Sequence, residues 1–298
     1  MTGGAGFIGS HVVDAYIAAG HHVAVIDNMN SGSLQNVNPG AVFYKADIRD
    51  ALEMQRIMNI EKPTILNHHA AAISVTGSTD RPMETYEVNC LGTINVVNAA
   101  APYIRKCIIA STGGAMYANP KKFPATELET PTPISPYGFS KQLAEEAVVF
   151  YAGIYGFEYS ILRYANVFGP RQNPHGESGI IAIFSSLAAH GRQPTIYRRA
   201  TTRDYVFVGD VANANIAALS KGANEVINIG RGIEVTNQEV YQAVKKAFGW
   251  RVQPIYKPAR PGELLRSVLA PAKARRVLGW QPTVSIEEGL RAIHDHTH

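Results

Sequence analysis

Cysteine is nearly missing: Cys90 and Cys107 are the only two among 298 residues. They are too few for a disulfide framework and lack metal-ligand spacing, so a reducing, cytoplasmic setting is expected. No apolar run approaches the roughly 18 residues a membrane helix needs, and no basic-then-apolar leader opens the chain, so neither membrane nor secretion is expected. Charged residues are only 17% against 46% hydrophobic, a globular rather than a disordered balance. The net charge is +4 and the pI about 9.0. Lys and Arg are nevertheless scattered, so no nucleic-acid surface is expected; Arg203, Arg260 and Arg266 suit an anionic ligand better. The histidine-rich end, His294-Asp-His-Thr-His298, has no matching ligands or rigid spacing and reads as a frayed terminus. No metal is expected.

What is present alternates. Val23–Ile26, Val42–Tyr44, Thr64–Leu66, Cys107–Ala110 and Tyr159–Leu162 read as short buried strands. Helical patterns fill the intervals at Phe7–Ala19, Ala51–Ile60, Pro82–Ala101 and Pro136–Ile154. This predicts an α/β fold, a Rossmann-type doubly wound parallel sheet. Residues 1–165 would form it, with returns near 204–230, and residues 166–298 a smaller substrate lobe punctuated by prolines. Asp204–Phe207 and Val226–Ile229 are both candidates to rejoin the main sheet.

Gly3, Gly6 and Gly9 have the spacing of a dinucleotide cradle: a tight turn, a clear approach for pyrophosphate, and close helix packing. Phosphate would face the helix amino terminus. The next strand ends in Asp27-Asn28, whose carboxylate can accept ribose hydroxyls and repel a 2′-phosphate, so NAD is expected rather than NADP. Asp47-Ile48 is placed to touch adenine; a helix cap is the equal alternative for Asp47. Only Met1 and Thr2 precede Gly3, so the first strand is truncated and a start further upstream is expected.

Pro136 opens a helix on which Tyr137 and Lys141 stand at i, i+4 and share a face. A phenol is a poor base at neutral pH. A neighbouring ammonium stabilises the phenolate and brings it toward working range. Downstream of a dinucleotide fingerprint, this pair points to hydride chemistry at a hydroxyl-bearing carbon.

These motifs occur in order with His69-Ala-Ala71, Arg163-Tyr-Ala-Asn-Val-Phe-Gly-Pro-Arg171, Thr202-Arg-Asp-Tyr-Val206, Asn228-Ile-Gly230, Arg260-Pro-Gly-Glu263 and Leu278-Gly-Trp280. Together they resemble an extended short-chain dehydrogenase/reductase, most of all the UDP-glucose 4-epimerase (UDP-galactose 4-epimerase) family. The resemblance implies C4 epimerisation of a UDP-sugar through a 4-keto sugar, with NAD retained and a homodimer built on the helices at Pro82–Ala101 and Pro136–Ile154. It makes Tyr137 the acid–base residue and Lys141 its partner on the NAD ribose. Phe7, Ile8, Ser31, Gly32, Ala70, Ala71, Asn89 and Tyr164 join the glycines, Asp27, Asn28, Asp47, Ile48 and His69 around the cofactor. Ser111, Asn166, Tyr197, Arg203, Arg260 and Glu263 would hold the nucleotide-sugar.

One position departs from the family. Relatives carry Ser or Thr four residues before the tyrosine at 117; here that residue is Gly113. Thr112 is the expected replacement, with Ser111 or a water as alternatives. The same segment offers Gly114 and Ala115 where dehydratases and decarboxylases carry acidic groups, which favours epimerisation. A cofactor-releasing nucleotide-sugar dehydrogenase or reductase, or a non-catalytic NAD-sensing or RNA-binding relative, remains the alternative.

Overall fold

The computed structural model describes residues 1–118, 120–175, 179–259 and 264–297. After the glycine turn come α1 (Phe7–Ala18), β1 (Ala24–Asp27), β2 (Val42–Lys45), α2 (Ala51–Glu61) and β3 (Ile65–His68). Then follow α3 (Val75–Asp80), α4 (Pro82–Tyr86), α5 (Gly92–Ala100), β4 (Lys106–Thr112), α6 (Pro136–Tyr155) and β5 (Glu158–Tyr164). The remainder holds β6 (Asn166–Phe168), α7 (Ile180–Ala189), β7 (Thr195–Tyr197), β8 (Thr202–Phe207), α8 (Val208–Ala218) and β9 (Glu225–Ile229). It closes with β10 (Glu234–Thr236), α9 (Asn237–Ala247), β11 (Ile255–Lys257), β12 (Arg266–Ser267), α10 (Ala272–Leu278) and α11 (Ile286–Thr297).

Strand pairing is parallel within β1–β2 and within β3–β4–β5–β9. The amino-terminal residues join the two groups. Thr2 bridges in parallel to both Ile26 and His68. Ile26 N donates to Met1 O at 2.8 Å, and Thr2 N donates to Asn67 O at 3.0 Å. The order is therefore β2-β1-Thr2-β3-β4-β5-β9, a doubly wound sheet whose direction of winding reverses at Thr2, where such folds place their ligand crevice. Beside Met1, Val23, Ala24, Thr64, Ile65 and Asn67 help line a slot of about 330 Å³.

The stretch 225–229 pairs with β5, but 204–207 does not return to that sheet. Instead β8 takes β10, β12 and β6 as neighbours in a separate small sheet. The helix expected over Pro82–Ala101 is interrupted by a π turn at Glu87–Leu91, a device that often accompanies functional sites. Nor is the carboxyl end frayed: α11 runs to Thr297, and His294 packs edge-on against Phe248 at 5.1 Å.

Several boundaries follow from local chemistry. Helix α6 begins with Ser135 accepting from Gly138 N at 3.1 Å and Pro136 in the first turn, and it ends at Gly156, φ +78°. Helix α2 is capped by Asp50, which accepts from Glu53 N. Asp47 is therefore not the cap.

Candidate active site

Gly3 has φ +68°, and a side chain there would strike the backbone of Ala70 at 2.6 Å. A methyl on Gly9 would come within 2.0 Å of Gly3 O. Gly6 differs: its Cβ would meet only Gly3 O, at 3.3 Å, and is otherwise clear. Gly6 is also the N-cap of α1, and no side chain caps that helix. A turn packed on two sides and open on the third, leading into an uncapped helix of 12 residues, fits a pyrophosphate. Phe7 and Ile8 form the first turn of that helix.

Asp27 closes the end of β1. Its Oδ2 accepts from Ala5 N at 3.0 Å and its Oδ1 from Met29 N at 2.9 Å. A side chain at Gly32 would lie 3.0 Å from Oδ1, so the carboxylate needs a glycine neighbour; Ser31 beside it is exposed. Asn28 Nδ2 donates to Asp47 Oδ2 at 2.9 Å, and Arg49 grips both Asp47 oxygens at 3.0 and 2.8 Å. That guanidinium holds the Asp47 carboxyl well below the usual carboxylate range. The Ile48 side chain is buried, in the core that packs on α5.

His69 N donates to Thr2 O at 3.1 Å, and its Nε2 pairs with the Tyr164 hydroxyl at 3.0 Å. His69 Nδ1 is buried without a hydrogen-bond partner. Burial first, then the Lys141 charge, drive this imidazole down to about 3, so it is neutral. Tyr164 also accepts from Asn215 Nδ2 at 2.9 Å, so its hydroxyl is held from behind. Asn89, on the π turn, exchanges bonds with Ala72 N and O at 2.8 and 2.9 Å and donates to Ser140 Oγ at 2.8 Å. Its side chain clasps the loop holding Ala70 and Ala71 to α6 rather than facing outward.

Tyr137 and Lys141 occupy the first two turns of α6. The Tyr137 phenol lies beside Thr112, the last residue of β4, whose hydroxyl favours the phenolate. Lys141 is buried, and its charge is felt by His68, His69 and Cys90. The pair therefore faces the loop beneath the glycine turn. Burial pushes the phenol up to about 12, the Thr112 hydroxyl pulling back only in part. Burial also takes Lys141 down to about 8, with Glu145 and then Cys90 opposing. The lowering of the phenol by Lys141 anticipated from spacing does not govern this site; desolvation does.

Ser111 is not free to meet a substrate: its hydroxyl donates to Glu145 Oε1. Gly113 carries no side chain because a methyl there would lie 2.4 Å from Leu269 Cδ1. At Gly114 a Cβ would be 3.7 Å from Ser267 Oγ, 3.8 Å from Asn166 Oδ1 and 4.0 Å from Thr112 Oγ1. Three oxygen-bearing side chains thus converge on a glycine. Asn166 and Ser267 belong to the small sheet, where β8 pairs with both their strands and Ser267 is in register with Arg203. Sequence reasoning missed Ser267. Its two-residue strand has no period, and only its distance to Gly114 reveals it.

Arg203 is half-buried and its Nη1 donates to Thr202 O at 2.8 Å. Arg266 is tied to Glu234 at 2.5 Å and lies over Phe123, so it is not a free anion receptor. Tyr197 lies on β7, which pairs with β11 apart from the Asn166–Ser267 sheet. Arg260 and Glu263 lie outside the described residues. Among the described residues no cluster of metal-ligating side chains occurs, and no helix is long and apolar enough to cross a membrane.

A glycine turn under a winding reversal, with a Tyr/Lys pair on the facing helix, defines a dinucleotide-dependent oxidoreductase-type fold. The family model described as GDP-mannose 4,6 dehydratase matches residues 1–293. The UDP-glucose 4-epimerase of Mycolicibacterium smegmatis is 40% identical over 97% of this chain and 95% of its own. The Thermotoga maritima UDP-glucose 4-epimerase structure with UDP-glucose is 44% identical, with TM-score 0.97 over 99% of this chain and 97% of that one. The Thermus thermophilus UDP-glucose 4-epimerase complex with NAD is 42% identical, with TM-score 0.94 over the same shares. The chain belongs to the extended short-chain dehydrogenase/reductases, in the UDP-glucose 4-epimerase family.

Proposed function

We propose that this protein interconverts the C4 epimers of a UDP-sugar using NAD that it retains. The observation that carries the reading is the meeting of Tyr137, Thr112 and Lys141 over the His69–Ala70 loop that also supports Gly3. The likeness to a UDP-glucose complex and to an NAD complex supports both ligands.

NAD, when bound, supplies the hydride acceptor and donor at the sugar carbon. Gly6 and the first turn of α1 would hold its pyrophosphate, Asp27 its adenine-side ribose, Asn28, Ser31, Gly32, Asp47 and Ile48 the adenosine end, and Lys141 the other ribose. Tyr137 takes the proton from the sugar 4′-hydroxyl as C4 is oxidised, and Thr112 orients that hydroxyl and the phenol together. Asn166, Arg203 and Arg260 anchor the diphosphate, the arginines by charge-assisted hydrogen bonds, and Glu263 and Tyr197 take the uridine side. The anchored nucleotide lets the 4-keto sugar turn its other face, and Tyr137 returns the proton. Gly113, Gly114, Ala115 and Met116 supply no acid or base for dehydration, so the dehydratase label of the family model does not describe the chemistry.

The lobe from 166 to 298 serves the nucleotide-sugar and residues 1–165 the cofactor. A second copy covers the face of α4–α6, where Met83, Leu91, Phe139, Val149, Phe150 and Ile154 are exposed. Cys90 and Cys107 are both free thiols, consistent with the cytoplasm. Incubation with UDP-galactose and UDP-glucose, without added cofactor, tests the reading: C4 inversion supports it. Net NADH release in its place would identify a dehydrogenase, and absence of both reactions would sink it.

A further inference from the structure

Behind the acid–base pair lies a buried ion pair that the reaction scheme leaves unused. Glu145 follows Lys141 by one helical turn on α6 and stands two turns from Tyr137. Arg163 on β5 reaches it with Nε at 2.9 Å and Nη2 at 2.5 Å. The third bond to this carboxylate is the Ser111 hydroxyl, whose residue immediately precedes Thr112 on β4. Arg163 Nη1 continues to the Tyr117 hydroxyl at 2.5 Å, and Tyr117 donates to Asn228 Oδ1 at 3.4 Å. Glu145, Arg163 and Ser111 are each about 5% exposed.

A two-charge pair in such a place is costly unless fully bonded, and hydrophobic replacements often serve stability as well. Here the carboxylate receives three donors and stands next to the lysine. We propose that Glu145, held by Arg163, is a positioning residue for Tyr137 and Lys141: it fixes the Ser111–Thr112 end of β4 against the phenol and holds a carboxylate one helical turn from the ammonium. The inference rests on the epimerase reading.

The groups around Lys141 leave it few other supports. His68 and His69 on the β3 side are neutral, Arg163 places a like charge behind Glu145, Cys90 on the π turn favours the ammonium only after Glu145 does, and Tyr137 lies on the same helix. Removing the Glu145 charge makes the ammonium easier to deprotonate.

The test compares wild type with Glu145→Gln, Glu145→Asp and the paired Glu145→Gln/Arg163→Met, which leaves no unpaired charge if the single variant fails to fold. Two readouts are taken on purified holoenzyme: the pH profile of kcat with UDP-galactose, and the Lys141 midpoint by NMR of lysine carrying a ¹³C label at Cε, assigned with Lys141→Arg. In Glu145→Gln, or in the pair, kcat falls at least about tenfold, KM stays within about threefold, and the alkaline limb and the Lys141 midpoint both move at least about one pH unit lower. Glu145→Asp restores most of the wild-type profile. A folded variant with wild-type limb and midpoint would overturn the proposal, as would a paired variant that recovers wild-type behaviour. An inactive wild type would instead defeat the epimerase reading, and the NMR midpoint would still decide the Glu145–Lys141 coupling.

Discussion

Leu269 occupies the space a side chain at Gly113 would need: a methyl there would lie 2.4 Å from Cδ1 and 2.6 Å from Cδ2. Leu269 is buried and its N donates to Asp204 Oδ2 at 3.3 Å, so it has little room to withdraw. Gly113→Ser should therefore destabilise the fold by about 1–3 kcal/mol, read as a lower urea midpoint. Gly113→Ser/Leu269→Ala should recover more than the sum of the singles predicts. Simple additivity would mean the two positions do not compete for one volume.

The catalytic assignment divides Tyr137 from Thr112 by magnitude. Tyr137→Phe should keep NAD bound while turnover drops about 10²–10⁴-fold, the usual contribution of a positioned acid–base group. Thr112→Val removes the hydroxyl beside the phenol and should cost about 10- to 100-fold in kcat. Steady-state rates beside the absorbance of released NAD check both. Near-normal turnover in Tyr137→Phe would remove the phenol from the mechanism.

Two glycines of the fingerprint should fail differently. Gly9→Ala drives a methyl against Gly3 O at 2.0 Å and should give little folded protein. Gly6→Ala meets only a 3.3 Å contact and should melt near wild type, yet purify with far less NAD. Equal NAD content in wild type and Gly6→Ala would remove Gly6 from the cofactor cradle.

Acid should unfold this protein early. His68 and His69 are held neutral, both driven down to about 3 from 6.5 by burial and then by Lys141. His68 Nδ1 pairs with Thr2 Oγ1 at 2.7 Å and Nε2 with Thr93 Oγ1 at 2.9 Å, bonds a neutral ring satisfies. Between about pH 6.5 and pH 3 the unfolded chain binds protons that the folded chain refuses, so stability rises with pH and is lost on acidification. Two such groups set an upper slope of about 2.7 kcal/mol per pH unit. Urea titrations at pH 7, 6 and 5 measure it, and a midpoint that stays constant across them would contradict the assignment.

The sugar side is tested at Ser267. Its hydroxyl is among three side-chain oxygens that surround the open side of Gly114, so Ser267→Tyr should fill that space. Turnover of UDP-sugars should fall at least about tenfold through KM, with NAD retention unchanged. Wild-type KM for every sugar tried would put the substrate elsewhere.

The parallel sheet was legible because its strands are short apolar runs between amphipathic helices, and the Tyr137–Lys141 face because i, i+4 geometry is fixed by the helix. Other features were not. The π turn at Glu87–Leu91 leaves no mark in a helical pattern, since it redirects Asn89 without changing composition. Ser111 and Thr112 look equivalent in sequence, and only Glu145, many residues away, claims the first of them. The placing of β8 in its own sheet was hidden because its apolar end, Tyr205-Val-Phe207, reads the same in either sheet. Arg266 looked like an anion receptor until Glu234 was found beside it.

The small sheet of β6, β8, β10 and β12 carries Asn166, Arg203 and Ser267, while the large one carries Thr112 and the loop under the fingerprint. The two sheets meet around Gly113 and Gly114, and again where Asp204 of β8 accepts from Arg231 N and Gly232 N just beyond β9. On the proposed epimerase reading, exchanging residues on the lesser framework would re-tailor which sugar is admitted while the hydride machinery stays in place.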